Sequence, residues 1–463
     1  VVLMFACWLV GATYVPINIG DDDERIEFIL NNAEAKAVFG MPDLLERIES
    51  LKDNLTAEYF IQINGDPQGS FIYLPDEVKT MADEVENYDA LATLDSEALL
   101  VYTSGTTGTP KGVILEQYNL LVDIKCISDW YGFNSNDRAM LILPIHHVNG
   151  IVVTLLTPLW FGGSTVLNRK FSASNYWRIA AEEHCTFGSV VPTILAFLCE
   201  KGEDRTQYNL SARFFLICGA GPLTVELGER FEEQFKIRIN HGYGLSETTC
   251  YSCYLPYDLT ENEHNRWMRD DGYPAIGVPL PCNEMDIQTD SGESVAEGEK
   301  GEIVVRGHNV MKGYFLRPEA NEDAFKNEWF RTGDEGFYKR DDKGRTFFFI
   351  TGRLKELIIR GGVNYSPLEI DEAISRIPGV KAGMAVGFEN NAYGEEIGAY
   401  IQPEANTDLT EEQVLSALKH LPFTKRPKVV VFGQDFPVTA TGKYQRNKLK
   451  PLFIEWKDTQ FRE

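Results

Sequence analysis

The densest cluster of residues able to do chemistry lies at 103–112: Thr103, Ser104, Gly105, Thr106, Thr107, Gly108, Thr109, Pro110, Lys111 and Gly112. Glycines let backbone N–H groups turn toward a ligand with no side chain in the way. Such groups, joined by several hydroxyls, form a nest for an anion, and Lys111 adds a positive charge. A flexible surface linker has much the same composition. The position of this loop directly after the apolar run EALLVY (97–102) favours phosphate. The string is not a Walker A loop, because Pro110 precedes the lysine and G-x-x-x-x-G-K-[ST] is absent. Other reactive types sit in glycine-rich turns: Glu247 in GYGLSET (242–248), Asp334 in RTGD (331–334), Arg353 after Gly352, and Lys443 in TATGK (439–443). Each has an ordinary reading when taken alone. Glu247 suits a helix start, where the dipole favours a carboxylate. Asp334 suits a turn, Arg353 and Lys443 a solvated surface, and His147 a packed core.

The elements that must hold these residues alternate strand, turn and helix. EALLVY (97–102) and FFLIC (214–218) read as buried strands, the second ending in GAGP (219–222). A helix starts near Thr224, with Glu226 and Glu229 in its first turns. Residues 238–241 lead to the turn that carries Glu247. Repeated units of this kind predict α/β layers with ligands at the carboxyl ends of strands. From Gly301 the texture changes: 302–306 and 345–350 are strands of a turn-rich sheet, a barrel. Ser366, Pro367 and Glu369 spell a capped helix start, and Thr410 to Gln413 spell another. Val414, Leu415, Leu418 and Leu421 then line one face. Residues 380–388 and 428–432 read as strands. These signals place a domain boundary at 352–355 and make the last hundred or so residues a compact second domain.

Composition narrows the class. The chain has 463 residues, and 43% hydrophobic and 12% aromatic content excludes a disordered or collagen-like protein. Lys plus Arg is 44 against 69 Asp plus Glu, a formal net charge of −25. Phosphate repels such a surface, so no nucleic-acid partner is expected. Eight cysteines are too sparse for a disulfide scaffold. Cys250 and Cys253 match C-x-x-C spacing, but no second pair completes a zinc site. Reduced thiols point to the cytoplasm. The opening run of ten apolar residues is too short to span a bilayer and lacks a basic flank, so a buried helix is expected and no transmembrane segment. Without an initiator Met the natural start is expected to be missing.

Taken in order, six strings carry a resemblance. YTSGTTGTPKG (102–112) resembles the signature loop of the adenylate-forming superfamily, which holds acyl- and aryl-CoA synthetases, peptide-synthetase adenylation domains and luciferases. PIHHVNG (144–150), GYGLSET (242–248), RTGD (331–334), GRLKELI (352–358) and TATGK (439–443) are similar to its later motifs, in the same order. The nearest resemblance is to acyl-CoA synthetases. It implies an α/β fold with a large N-terminal domain, 1–354, of layered α/β subdomains plus a distorted β-barrel. Its first subdomain is incomplete by comparison. A small mobile C-terminal α+β domain, 355–463, follows a hinge near Lys355.

The implied activity is that of an AMP-forming acid–thiol ligase: a carboxylate attacks the α-phosphorus of ATP, giving acyl-AMP and pyrophosphate, and a thiol, CoA, then displaces AMP. A carboxylate is already ionised at neutral pH, so the first step needs positioning and charge neutralisation rather than a base. By resemblance, Thr103, Ser104, Gly105, Thr106, Thr107, Gly108 and Lys111 cradle phosphates. Gly219, Ala220, Gly221, Pro222 and Tyr243 look like the adenine slot, Gly244 and Thr248 bind the nucleotide, and Asp334 and Arg353 hold the ribose and nucleotide. Glu247, with Thr106, holds Mg²⁺, which takes hard oxygen donors. Lys443 touches the carboxylate and α-phosphate, and His147 gates the acyl site; His146 stands where an aromatic is commoner. Arg360, Gly361 and Gly362 offer a face to pantetheine. The acyl pocket is expected among 148–153, 219–221, 241–244 and 248–250, with His241 as an added polar contact. The absence of an Asp after His147 and of an Arg for a second carboxylate predicts an apolar monocarboxylate. Two alternatives share the first step: a phosphopantetheine arm of a carrier protein as acceptor, and a luciferase-like monooxygenase. A non-catalytic nucleotide-binding scaffold is a third. Oligomeric state is not encoded in any of these motifs.

Overall fold

The structure is a computed structural model, and it describes residues 1–81, 91–103, 109–438 and 444–461. Ser104, Gly105, Thr106, Thr107, Gly108 and Lys443 lie outside the described residues. The chain packs as two compact units, Val1–Leu121 with Met311–Glu322, and Val122–Val310 with Asp323–Glu463.

In the first unit the helix Val2–Leu9 forms where the apolar run predicts it. It is not a buried helix: only Met4 and Trp8 are covered, and Val2 is 84% exposed. The run is apolar all round, so its composition could not show which stripe packs. Trp8 Nε1 anchors it by donating to the Ala98 carbonyl at 2.7 Å. The expected strand is Glu97–Thr103. It pairs antiparallel with Lys111–Glu116, Thr103 standing opposite Lys111. Thr103 and Lys111, on either side of residues 104–108, are thus neighbours in one ladder. Gly313–Tyr314 completes this sheet beside Lys111–Glu116.

The second unit is built on an eleven-stranded sheet. One half is parallel: Ser164–Leu167, Arg138–Leu141, Phe187–Val190, Phe215–Cys218 and Ile239–Tyr243 lie side by side. The other half is antiparallel and runs through Cys253–Tyr254, Ala275–Pro279, Thr346–Arg353, Phe330–Arg340, Gly301–Gly307 and Asn283–Gln288. The strands predicted at 302–306 and 345–350 are in this half. The inner parallel strands Phe187–Val190 and Ile239–Tyr243 are buried throughout, as a sheet covered on both faces requires, whereas the edge strand Ser164–Leu167 is not. Trp267 from the helix Glu261–Arg269 stacks on Phe347, centroids 3.8 Å apart, within the main core.

A five-stranded sheet carries the C-terminal part: Val363–Tyr365, Ile358–Arg360, Gly394–Pro403 and Val380–Asn390, with Val429–Phe432 parallel to Gly394–Pro403. The Thr410 capping box forms: its hydroxyl accepts from Gln413 N at 3.3 Å and Gln413 Oε1 accepts from Thr410 N at 2.9 Å. Val414 and Leu418 are fully buried behind it. The Ser366 box does not form. Pro367–Ser375 is a helix, but the Ser366 hydroxyl donates to the Thr351 carbonyl instead, and Glu369 pairs with Lys425 at 2.7 Å. A buried carbonyl fifteen residues away outcompetes the local cap, because leaving it unpaired costs more than the cap returns.

Candidate functional site

The parallel strands deliver the predicted residues to one edge of the sheet. Ile239–Tyr243 lies next to Phe215–Cys218, His241 opposite Cys218. Gly219, Ala220 and Gly221 follow the second strand, and Gly244 and Glu247 follow the first. His146 and His147 come after Arg138–Leu141 and before the helix Val148–Ile151. Their rings are 4.3 Å apart and both are half-buried.

Several glycines are fixed by packing. A Cβ at Gly219 would lie 2.5 Å from Tyr251 Oη, and one at Gly244 would lie 1.9 Å from the Cys250 carbonyl. Gly221 has ordinary room, with Pro192 at 3.4 Å. Glycine at 219 and 244 thus admits the protein's own ring and backbone, while Gly221 keeps ordinary room. Ala220 has φ +61°, a left-handed conformation that a non-glycine residue adopts at a cost. Thr248 is buried, and its hydroxyl serves the turn: it accepts from Leu245 N at 3.0 Å. Thr249 next to it has φ +63°, ψ −58°, with Cys250 N donating to Thr248 O at 2.6 Å. This is a strained γ-turn at a β-branched residue. The Thr249 hydroxyl donates to the Asn309 carbonyl at 2.6 Å and holds it there. Asn309 in turn donates to Asp123 Oδ1 at 3.2 Å and to the Tyr251 carbonyl at 2.9 Å. Asp123 is buried, and burial pushes its carboxyl well above the usual range. No local pattern marked Asn309 or Asp123.

The charged centre is Asp334. It stands directly opposite Arg353 across the pair Phe330–Arg340 and Thr346–Arg353. Tyr243 Oη donates to Asp334 Oδ2 at 2.7 Å. Arg353 Nε is 3.0 Å from Oδ1, yet no described residue places a hydrogen bond on that oxygen. Asp334 is 1% exposed, whereas the Arg353 side chain is 43% exposed. Asp334 raises the Arg353 guanidinium's affinity for its proton, and Tyr243, Glu356 and Glu247 add to this. Burial first, then Asp334, holds the Tyr243 phenol far above its ordinary range, so it remains a donor. A buried carboxylate oxygen with open lone pairs is an acceptor for a hydroxyl-bearing ligand.

His241 is buried, its Nδ1–H donating to the Ala275 carbonyl at 2.9 Å. Burial lowers its pKa to about 4, so the imidazole is neutral. Ile151, Val152 and Val153, expected in the acyl pocket, have no exposed surface and border no open space. Val152 and Val153 begin a π-helical stretch, Val152–Leu156, and Thr157 Oγ1 just after it donates to the Val152 carbonyl at 2.8 Å. In the first unit, Thr103 ends its strand and Lys111 begins the return strand. Lys111 Nζ lies over the Tyr314 ring, 4.7 Å from its centroid.

Among the described residues, no group of three His, Cys, Asp or Glu side chains could hold a metal ion. One carboxylate at Glu247 fits a Mg²⁺ ion that takes its remaining donors from phosphate and water.

Comparison with known proteins agrees with this layout. The model of the AMP-binding enzyme family matches residues 1–315, and that of the AMP-binding enzyme C-terminal domain matches 369–443. The sulfoacetate–CoA ligase of Cupriavidus necator is 35% identical over 454 residues, covering 96% of this chain and 84% of the relative. The oxalate–CoA ligase of Arabidopsis thaliana is 32% identical over 464 residues, covering 98% and 86%. The crystal structure of ATP-bound MatB from Rhodopseudomonas palustris superposes with a TM-score of 0.84 at 28% identity, covering 98% of this chain and 86% of that one. The chain belongs to the AMP-binding enzyme family, the adenylate-forming superfamily that its six motifs resemble.

Proposed function

We propose a division of labour for an AMP-forming acid–thiol ligase, which activates a small carboxylic acid with ATP and passes the acyl group to CoA. The observation that carries it is Asp334: a buried carboxylate, fixed by Tyr243 and Arg353, with one oxygen open to a ribose hydroxyl. Asp334 is almost wholly covered, so its partner Arg353 would swing aside as the nucleotide enters. Glu247 would hold the Mg²⁺ that arrives with the triphosphate, and this ion would supply charge neutralisation. Thr103, Lys111 and residues 104–108 bind phosphate. Ala220 and Gly221 receive the adenine, and His147 stands at the acyl side.

Lys443 neutralises the carboxylate and α-phosphate as they meet. Its segment is rooted on both sides: Val438 and Tyr444 form an antiparallel bridge, and Gln445 N donates to Pro437 O at 2.7 Å. Arg446 grips Asp371 with two bonds of 3.1 and 2.6 Å. The domain boundary falls at 354/355. Lys355 lies exposed in the single turn Leu354–Glu356, between two strands, where a few residues can absorb a rotation. That rotation would exchange Lys443 for the face of Gly361 and Gly362 between half-reactions; Arg360, expected on that face, is buried with Nε donating to Glu396 at 2.7 Å. Eight free thiols suit a cytoplasmic location. No described helix is long and apolar enough to cross a membrane.

The test is ATP–pyrophosphate exchange across a panel of acids, followed by CoA-dependent AMP release without any carrier protein. The panel sets apolar monocarboxylates, which the sequence favours, against sulfoacetate and oxalate, the acids in the two relatives' names. Lys443→Ala is expected to lose exchange by at least about a hundredfold, while thiolysis of preformed acyl-AMP persists. Undiminished exchange would remove Lys443 from its role.

A further inference from the structure

We infer that Glu302 is a positioning residue for nucleotide binding: it fixes the backbone of the Thr332–Gly333–Asp334 turn and so aims the Asp334 carboxylate. The inference rests on reading Asp334 as the ribose acceptor.

Glu302 sits near the start of the strand Gly301–Gly307, which pairs with Phe330–Arg340. The register shifts between Glu302 and Val304, an irregularity of the kind that re-aims a side chain beside a site. Glu302 Oε1 accepts from Gly333 N at 2.8 Å. Its other oxygen, Oε2, accepts from Arg331 Nε at 2.8 Å. The pair is nine-tenths buried on both sides. Arg331 is held further by the Thr289 carbonyl at 3.1 Å and by Gln288 Oε1 at 3.4 Å. Gly333 has φ +75°, a left-handed conformation that glycine adopts readily, and it lies between the paired positions Arg331 and Glu335, where its N–H goes to the Glu302 side chain. Thr332 completes the frame: its hydroxyl donates to the Ile303 carbonyl at 2.6 Å and accepts from Asp334 N at 3.1 Å. The Thr332 hydroxyl and the Gly333 N–H are thus both tied to the strand that carries Glu302. Burying an ion pair is at best weakly stabilising, since desolvation offsets the attraction. Stability alone therefore gives little reason to keep Glu302 and Arg331 here, whereas a fixed carboxylate that must meet ribose within a few tenths of an ångström does.

Kinetics with ATP and 3′-deoxy-ATP in pyrophosphate exchange separates positioning from mere folding. Glu302→Ala is expected to raise KM for ATP about tenfold or more and to shrink the preference for ATP over 3′-deoxy-ATP, with kcat much less affected. Glu302→Gln keeps an acceptor for Gly333 N–H and is expected to restore most of the preference. Glu302→Asp keeps the charge and the burial but withdraws the acceptor by one carbon. If Glu302→Ala fails to fold, Glu302→Asp decides, with the same rise in KM expected. Asp334→Asn runs beside them. Loss of preference in Asp334→Asn together with wild-type KM and preference in folded Glu302 variants would overturn the positioning role. Unchanged preference in Asp334→Asn would instead overturn the ribose reading, and this inference with it.

Discussion

At the scale of single residues, Asp334 is a buried carboxylate with one oxygen on which no described residue places a hydrogen bond. Tyr243 supplies Asp334 with its single neutral hydrogen bond, and Tyr243→Phe removes that bond without changing shape. A buried hydrogen bond to a charged group is worth about 1.5–3 kcal/mol. Tyr243→Phe should therefore raise KM for ATP by about tenfold or more, read in pyrophosphate exchange, and an unchanged KM would put the ribose elsewhere. His241 gives a different readout. Its folded pKa of about 4 lies below the ordinary 6.5 because burial disfavours the cation. As pH falls from about 6.5 to 4, the unfolded chain takes up a proton there and the folded chain does not. Stability contributed by the neutral imidazole is present above that window and is lost through it, by up to about 3 kcal/mol. The fall in unfolding free energy between pH 7 and pH 4 should be smaller in His241→Gln by about that amount, and chemical denaturation at the two pH values measures it.

Elements set which of these residues meet. The glycines at the strand ends divide sharply. Gly244→Ala drives a methyl into the Cys250 carbonyl and should cost about 3 kcal/mol or more, whereas Gly221→Ala meets only van der Waals contact. Thermal melting of the two variants should rank them in that order. If instead Gly221→Ala keeps its melting temperature but loses ATP binding, the space beside it is the slot for the base. Much of this level was legible in the residues alone. The strands at 97–103, 215–218 and 239–243, the Thr224 and Thr410 caps, and the turn residues all follow from local pattern. What could not be read was long-range pairing. Nothing within 331–334 says that Asp334 will face Arg353 across a ladder, or that Glu302 will reach Gly333 from a neighbouring strand. Ser366 shows the converse: a perfect local cap signal was overruled by a distant carbonyl.

For the whole molecule, the motifs named the superfamily because six short strings survive in order, while the acid they activate is set by packing that strings do not encode. The stretch 151–153 illustrates this: apolar residues expected beside the acyl group are sealed in the core. The proposed boundary has its own test. Lys355 is an exposed lysine in a one-turn link, so trypsin should cut after it and release residues 356–463. The rate of that cut should differ between enzyme saturated with ATP and acid and enzyme given CoA as well. Equal rates in all states would argue against a pivot at this turn.

The strand Thr346–Arg353 has one further implication. Its last residue clasps the carboxylate assigned to the sugar, and the link that follows begins immediately. Occupancy of the sugar and freedom of the link are therefore read at the same few atoms. On that assignment, departure of AMP would let Arg353 return to Asp334, one residue before the turn Leu354–Glu356. The same arginine would then signal to the link that the sugar has gone, with no separate messenger.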